Sequence, residues 1–243
     1  MGGQTAETLN YSVLADFYDR LVKDDEATRQ WVAYTFSRVK GRSLLELACG
    51  SGEITLALAN EGYQMSALDL SPEMIQRAKA KDTENKITFN VGNMLDLKNY
   101  GSYDAILCFC DSINYLNKAD LDGLFQNIYL HLKQNGILLF DMHTPERLVE
   151  FEEPYIEEGW IDKTAYQWAI QSDQQRIIHH FRFYFADGHV ASETHIQTVF
   201  ELEEVRDMLE KIGFRVEITT DFEAGEKEAG EKYFICAQKG DRR

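Results

Sequence analysis

The sequence predicts an α/β fold: a doubly wound, seven-stranded, mostly parallel sheet with an antiparallel β-rich insertion after its fifth strand. Three observations carry this expectation. From Gly41 to about Glu150, short apolar runs alternate with helical patterns, as parallel strands covered on both faces do. A glycine-rich turn follows the first apolar run, in LLELACGSGEIT (Leu44–Thr55). Between about Glu150 and Phe200 the apolar period changes from helical to strand-like.

The first forty residues read as helices, YSVLADFYDRLV and ATRQWVAYTFSRV, with apolar side chains at helical spacing. They form an N-terminal helical cap over residues 1–40. SLLEL (Ser43–Leu47) is a buried strand, and ITLALAN a helix. YQMSALDL (Tyr63–Leu70) is the second strand, followed by a helix with Ser71 as N-cap and Pro72 at its first position. ITFNV (Ile87–Val91) and YDAILCF (Tyr103–Phe109) are the third and fourth strands. A helix over Lys118–Leu132 stops at Asn135-Gly136, and GILLFDM (Gly136–Met142) is the fifth strand. The segment 150–199 is a β-rich insertion or lid, with a hairpin turn at Asp187-Gly188. LEEVRDMLEKIGF is a helix capped by Gly213, and RVEITTDF and KYFICAQK close the sheet around an acidic loop, EAGEKEAGE. The core is therefore 41–149 together with 200–243.

Of the 243 residues, 44% are hydrophobic, enough for a large core, and no apolar run approaches the roughly 20 residues that span a bilayer. MGGQTAETLN lacks the basic and apolar regions of a signal peptide; MGG reads as an expression scar or a disordered start. Cys49, Cys108, Cys110 and Cys236 lie within apolar runs, as reduced buried thiols of a cytoplasmic protein do. The net charge of −16, with the larger deficit after Glu150, argues against nucleic acid, whose binding needs a basic face.

The glycine turn bears on the ligand. A triphosphate loop needs a lysine and a hydroxyl residue after its second glycine, and Gly52 is followed by Glu53-Ile54. A dinucleotide fingerprint wants a third glycine where Thr55 stands, and Glu53 would place a carboxylate near the pyrophosphate. A phosphate-free adenosine ligand removes that conflict. With ELACGSG, LDLS, GNMLDL and LKQNGILLFDM in this order, the chain resembles the class I S-adenosylmethionine-dependent methyltransferases over nearly its whole length. The nearest likeness is to small-molecule members, including amino-sugar N-methyltransferases, and to bacterial members of unsettled substrate.

The resemblance implies a Rossmann-like methyltransferase fold with S-adenosyl-L-methionine as cofactor. It implies that Glu46, Ala48, Gly50, Ser51 and Gly52 form the turn against the methionine moiety and ribose. Asp69 and Leu70 end the second strand, where Asp69 would bind the ribose hydroxyls. Asn93 and Met94 would meet the adenine, although the family more often has aspartate at the first position. Residues of CFCDSINYL face the methyl group in the family, which makes Phe109, Cys110, Asp111, Ser112, Asn114 and Tyr115 candidates here. This segment is not the N/D-P-P-Y motif of base and glutamine-amide methylases. In the N-terminal cluster Tyr11, Phe17, Tyr18 and Asp19, Tyr18 is the candidate to close over the cofactor; an amphipathic helix packing its aromatics is the competing reading.

His143 and His195 are candidate bases, alongside structural readings of each. His179 and His180 are neighbours in an alternating strand and point to opposite faces, and Cys108-x-Cys110 lacks partners at zinc spacing, so no metal is expected. Trp160, Tyr166, Trp168 and Tyr184 either line an apolar pocket or form the insertion's own core. The expected activity is methyl transfer to N or O of a small molecule. An RNA or protein methyltransferase and a non-catalytic sensor or scaffold are the alternatives. No membrane partner is expected, and the insertion's exposed edge could pair with a second chain.

Overall fold

The computed structural model describes residues 13–222, 224–225 and 230–240. Tyr11, the MGG start and most of the acidic EAGEKEAGE stretch lie outside the described residues. In chain order the elements are α1 (Leu14–Leu21), α2 (Asp25–Arg38), β1 (Ser43–Leu47), α3 (Glu53–Asn60), β2 (Gln64–Asp69), α4 (Pro72–Lys81), β3 (Thr88–Val91) and β4 (Tyr103–Cys108). After a 3-10 turn at Ser112–Tyr115 come α5 (Lys118–His131), β5 (Leu132–His143) and α6 (Glu146–Glu150). Four strands follow, β6 (Tyr155–Ile161), β7 (Thr164–Asp173), β8 (Arg176–Tyr184) and β9 (Val190–Thr198). The chain closes with α7 (Leu202–Ile212), β10 (Phe214–Thr220), β11 (Ala224–Gly225) and β12 (Lys232–Lys239).

The main sheet runs β3-β2-β1-β4-β5-β12-β10, with the two-residue β11 added at the β10 edge. Its first five strands pair in parallel, β12 runs against its neighbours β5 and β10, and β11 runs against β10. The seven expected strands are all present; β11 is an addition from within the acidic loop. The fifth strand is longer than its apolar run, because Leu132 already pairs with Tyr103 across a register shift.

Alternation along the strands sends side chains to two cores. Leu45, Ile106, Leu138, Phe140 and Ile235 pack with Leu124 and Phe125 of α5 and Leu209 of α7. On the opposite face Leu44, Leu107, Leu139 and Phe234 meet Trp31 and Tyr34 of α2 and Leu58 of α3. Helix starts follow their caps: Asp24 accepts from the Glu26 and Ala27 amides at 2.8 and 3.0 Å, and Ser71 from Met74 at 3.2 Å. Gly213 ends α7 at φ 113°, as expected of a C-cap glycine.

The second sheet, β6-β7-β8-β9, is wholly antiparallel. Its inner face is Ile170, Ile177, Phe181 and Phe183, packed on α6 through Phe151 and on α1 through Leu14 and Phe17. Phe17 stacks on Phe183 at 4.6 Å between centroids. Two expectations need correction here. Trp160 is 74% exposed on the outer face, so it neither lines a pocket nor fills a core, and Cys110 is exposed rather than buried.

Candidate active site

The glycine turn caps β1 because three residues in it adopt left-handed backbone, Ala48, Gly50 and Gly52, at φ 52°, 53° and 80°. A Cβ at Gly52 would sit 2.9 Å from that of Ala78, so glycine is required for packing as well as for φ. At Gly50 a Cβ would meet nothing within 4 Å, which leaves open space directly over the turn. Asp69 fastens the turn: its Oδ2 accepts from the Gly50 amide and its Oδ1 from the Ser71 amide, both at 2.8 Å. Each oxygen keeps a further lone pair for a hydroxyl donor. Burial raises the Asp69 carboxyl above its ordinary value.

Glu46 is sealed beneath the turn at 3% exposure, takes the Thr55 hydroxyl, and is pushed by burial up to about 7. Ser51 donates to Asp19 of α1, while Lys81 of α4 reaches Ser51 at 2.9 Å, Asp19 at 2.6 Å and Glu53 at 2.5 Å. Lys23 lies 3.3 Å from Glu53. The Glu53 charge is thus compensated by two lysines, which weakens the sequence argument that it repels phosphate. At the third strand's end the Asn93 Oδ1 accepts from the Leu95 amide at 2.9 Å, forming a tight turn next to the part-buried Met94. Leu70 is 45% exposed beside Asp69.

Tyr18 joins the turn to the fourth strand's end. Its hydroxyl is raised well above its ordinary value by desolvation, then by the charges of Cys110, Tyr115, Asp111 and Asp69. Both Phe17 and Tyr18 pack on the second sheet's core, as an amphipathic helix does, and the Tyr18 hydroxyl is in addition influenced by the charges at the strand ends. Phe109 does not join the site. Its ring is 2% exposed and stacks on Trp31 at 4.2 Å in the core.

Beyond β4 the chain kinks through Cys110 and Asp111, both left-handed, at φ 57° and 51°. The Asp111 amide donates to Asp141 Oδ2 at 2.9 Å, and its carboxylate takes Lys232 and the Gln197 amide. His143 Nε2 is 3.6 Å from the same carboxylate. Burial works against ionisation of Asp111, but Lys232, His143 and Gln197 prevail and hold it well below the carboxylate range. Asp141, wholly buried, shares Lys232 at 3.1 Å and is pushed by burial up to about 6. Those two carboxylates hold Lys232 well above its ordinary value despite burial.

The second sheet contributes the other side. Gln197 Oε1 meets His143 Nε2 at 3.0 Å and His179 Nε2 at 3.1 Å. Trp168 Nε1 donates to His179 Nδ1 at 3.2 Å. Burial lowers His143, and pushes His179 and His195 down to about 4. Tyr115 Oη lies 3.4 Å from His195 Nδ1. Asn114 ties the halves together, donating to the Thr198 carbonyl at 2.7 Å while accepting from the His143 amide at 3.3 Å. Ser112 caps the Phe109 carbonyl at 2.7 Å. His180 points to the outer face and meets Thr194 at 3.1 Å, so the two adjacent histidines do face oppositely.

The structure therefore brings together Tyr18, Asp69, Cys110, Asp111, Tyr115, His143 and His195, and adds Asp141, His179, Gln197 and Lys232. A carboxylate at the end of an apolar strand marks Asp141 in the sequence. For Gln197 the only signal is a polar residue at an inward position, and Lys232 carries none.

Comparison with known proteins gives one answer. Residues 44–136 match a family model described as a methyltransferase domain. Over 242 residues the chain is 34% identical to YqeM of Bacillus subtilis, provisionally named a methyltransferase, covering 94% of this chain and 97% of that one. The structure of an S-adenosylmethionine-dependent methyltransferase from Clostridium acetobutylicum superposes with a TM-score of 0.81 at 22% identity, covering 95% of this chain and 99% of that one. That of the sugar N-methyltransferase KedS8 from a Streptoalloteichus species does so at 0.77 and 24% identity, covering 99% and 96%.

Proposed function

This chain belongs to the class I S-adenosylmethionine-dependent methyltransferase family, and we propose that within it the protein methylates nitrogen or oxygen of a neutral or cationic small molecule. The observation that carries this reading is enclosure. His143, at the end of β5, is 4% exposed beneath His195 and Gln197 of β9, each 2% exposed, and α1 is seated on the same sheet. Groups so enclosed suit an acceptor small enough to leave bulk solvent whole. Charge supports the same reading. Lys232 is the cation of this cluster and is already shared by two carboxylates, so it offers nothing to a phosphate or carboxylate on the acceptor.

The residues present fit the cofactor. The open space over Gly50 and the spare lone pairs of Asp69 suit a ribose diol and an amino-acid tail, and Asn93 with Met94 would border the adenine. S-adenosylmethionine supplies an electrophilic methyl group on a sulfonium. The chain's part is to hold the acceptor in line, exclude water and take up a proton. Asp111 is poorly suited to that last task, since Lys232 and Gln197 occupy its oxygens. Tyr18 would cover the cofactor, and the Tyr115–His195 pair and His143 are the groups placed to move a proton.

The test is calorimetric titration of S-adenosylmethionine and S-adenosylhomocysteine into wild type and Asp69→Asn, followed by a methyl-transfer screen of amines and hydroxylated small molecules. Binding that weakens at least about tenfold in the variant, with turnover on a small acceptor, is expected. Absence of binding by the folded protein would sink the cofactor assignment. Tight binding without transfer to any acceptor would favour a sensor or scaffold.

A further inference from the structure

The hydrogen-bond chain across the acceptor end has two fixed ends. Asp111 is ionised beside Lys232, so it can only accept. Trp168 Nε1 can only donate. Between them lie Gln197 and His179, whose donors and acceptors must alternate. Gln197 must turn its NH2 to Asp111, which leaves its oxygen toward both imidazoles. His179 must keep a lone pair on Nδ1 for Trp168 and therefore carries its proton on Nε2. His143, facing the same oxygen, must also carry its proton on Nε2. Reversing the amide would set its oxygen against a carboxylate, and would require a proton on His179 Nδ1 where Trp168 already presents one. Each end alone dictates the same direction.

We propose that Gln197 is a positioning residue that, with Trp168 holding the far side of His179, locks His143 and His179 as Nε2–H imidazoles and makes His143 Nδ1, of these two rings, the atom that can take up a proton. Nδ1 of His143 is buried and has no hydrogen-bond partner among the described residues. His179 Nδ1 is occupied by Trp168, and the Asp111 oxygens by Lys232 and Gln197. A proton arriving at His143 Nδ1 gives an imidazolium whose other N–H already points at an amide oxygen, 3.6 Å from a carboxylate. The lock is a property of the side chains themselves; its bearing on methyl transfer rests on the proposed function.

The titration of His143 is shaped by every element around it. Asp111, with Cys110 and Tyr115, comes from the β4 end and the turn after it, and Asp141 from β5. His179 comes from β8, His195 and Gln197 from β9, Arg147 from α6, Lys232 from β12 and Tyr18 from α1.

The direct test needs no substitution: long-range proton–nitrogen correlation spectra of the 15N-labelled wild type, titrated from neutral to acid pH. Neutral Nε2–H imidazoles at His143 and His179, with His143 gaining its second proton on Nδ1, are expected. A proton on Nδ1 of either neutral ring would overturn the lock. Gln197→Leu should release the His143 tautomer, with His179 still held Nε2–H by Trp168, and lower kcat roughly 10- to 100-fold, with cofactor affinity nearly unchanged. His180→Gln, on the outer face of the same sheet, should change none of these. An unchanged His143 tautomer in Gln197→Leu would also overturn the proposal. Locked imidazoles without any methyl transfer would refute the proposed function and leave the lock standing; transfer with unlocked imidazoles would do the reverse.

Discussion

At Glu46 a single carboxyl ties the glycine turn to pH. It lies 3% exposed under the turn, and burial moves it from the ordinary 4.5 to about 7. A carboxyl raised on folding leaves the native state holding a proton that the unfolded chain gives up as pH climbs past 4.5. Stability is therefore undiminished below that value and is lost as pH rises through about 7, by an amount on the order of 3 kcal/mol. Glu46→Gln keeps an acceptor for Thr55 and removes the ionisation. Thermal unfolding should show the variant level with wild type near pH 4 and more stable by about 6 °C or more at pH 8. An equal gain at both pH values would mean that packing, not charge, is responsible. The opposite sign governs Lys232→Met, which strands Asp111 and Asp141 together. Loss of roughly 3 kcal/mol is expected at pH 8, easing as pH falls and one carboxyl protonates, and denaturant titration at pH 5 and 8 reads it.

At the scale of elements, α1 is an eight-residue helix held from both sides. Asp19 and Asp16 pair with Lys81 and Arg77 of α4, and Glu193 of β9 takes the Leu14 amide. Lys81 is the hinge of this latch, because it also compensates Glu53 at the glycine turn. Exposed pairs are worth little singly, but a part-buried lysine with three partners should contribute about 1 kcal/mol. Lys81→Ala should then open α1 about fivefold more often, read as faster tryptic cleavage after Arg20, and added salt should narrow the gap. Equal cleavage rates would place the hold on α1 in Phe17 and Leu14 alone. Nothing about this latch was legible in the sequence, since Asp19, Ser51 and Lys81 meet only through tertiary packing. The strand and helix order was legible, because apolar period and caps such as Ser71-Pro72 and Gly213 are local. The site was half legible. Asp69, Asp111 and His143 stand at strand ends where ligands bind in such sheets. Gln197 and Lys232 arrive from β9 and β12, distant in sequence, and Phe109 shows the converse failure. Its strand-end position suggested the cofactor, but alternation along β4 turns its ring into the core beside Trp31.

Over the whole molecule, two sheets with separate apolar cores meet through α1, α6 and the polar cluster that Asn114 and Gln197 join. The main sheet's cores are continuous with α2, α3, α5 and α7, whereas the second sheet's core includes α1. Damage to the second sheet should accordingly travel to cofactor binding by way of α1 without loosening the main sheet. Phe183 is the place to test this, being fully buried and stacked on Phe17 one residue before Tyr18. Phe183→Ala removes a core aromatic, a change costing about 3–5 kcal/mol where neighbours cannot collapse into the space. Hydrogen exchange should quicken in α1 and β6–β9 and stay slow in β1, β4 and β5, as expected for units that open separately. S-adenosylmethionine affinity should fall roughly tenfold, although Phe183 stands outside the cofactor turn, because α1 would no longer hold Tyr18 against Asp69 and Asp111. Quickened exchange in the second sheet with unchanged affinity would show that Tyr18 keeps its place by the Lys81 latch alone. Exchange that quickened equally in both sheets would show that they unfold as one unit, with the polar bridge at Asp111 and Gln197 carrying more of the coupling than its size suggests.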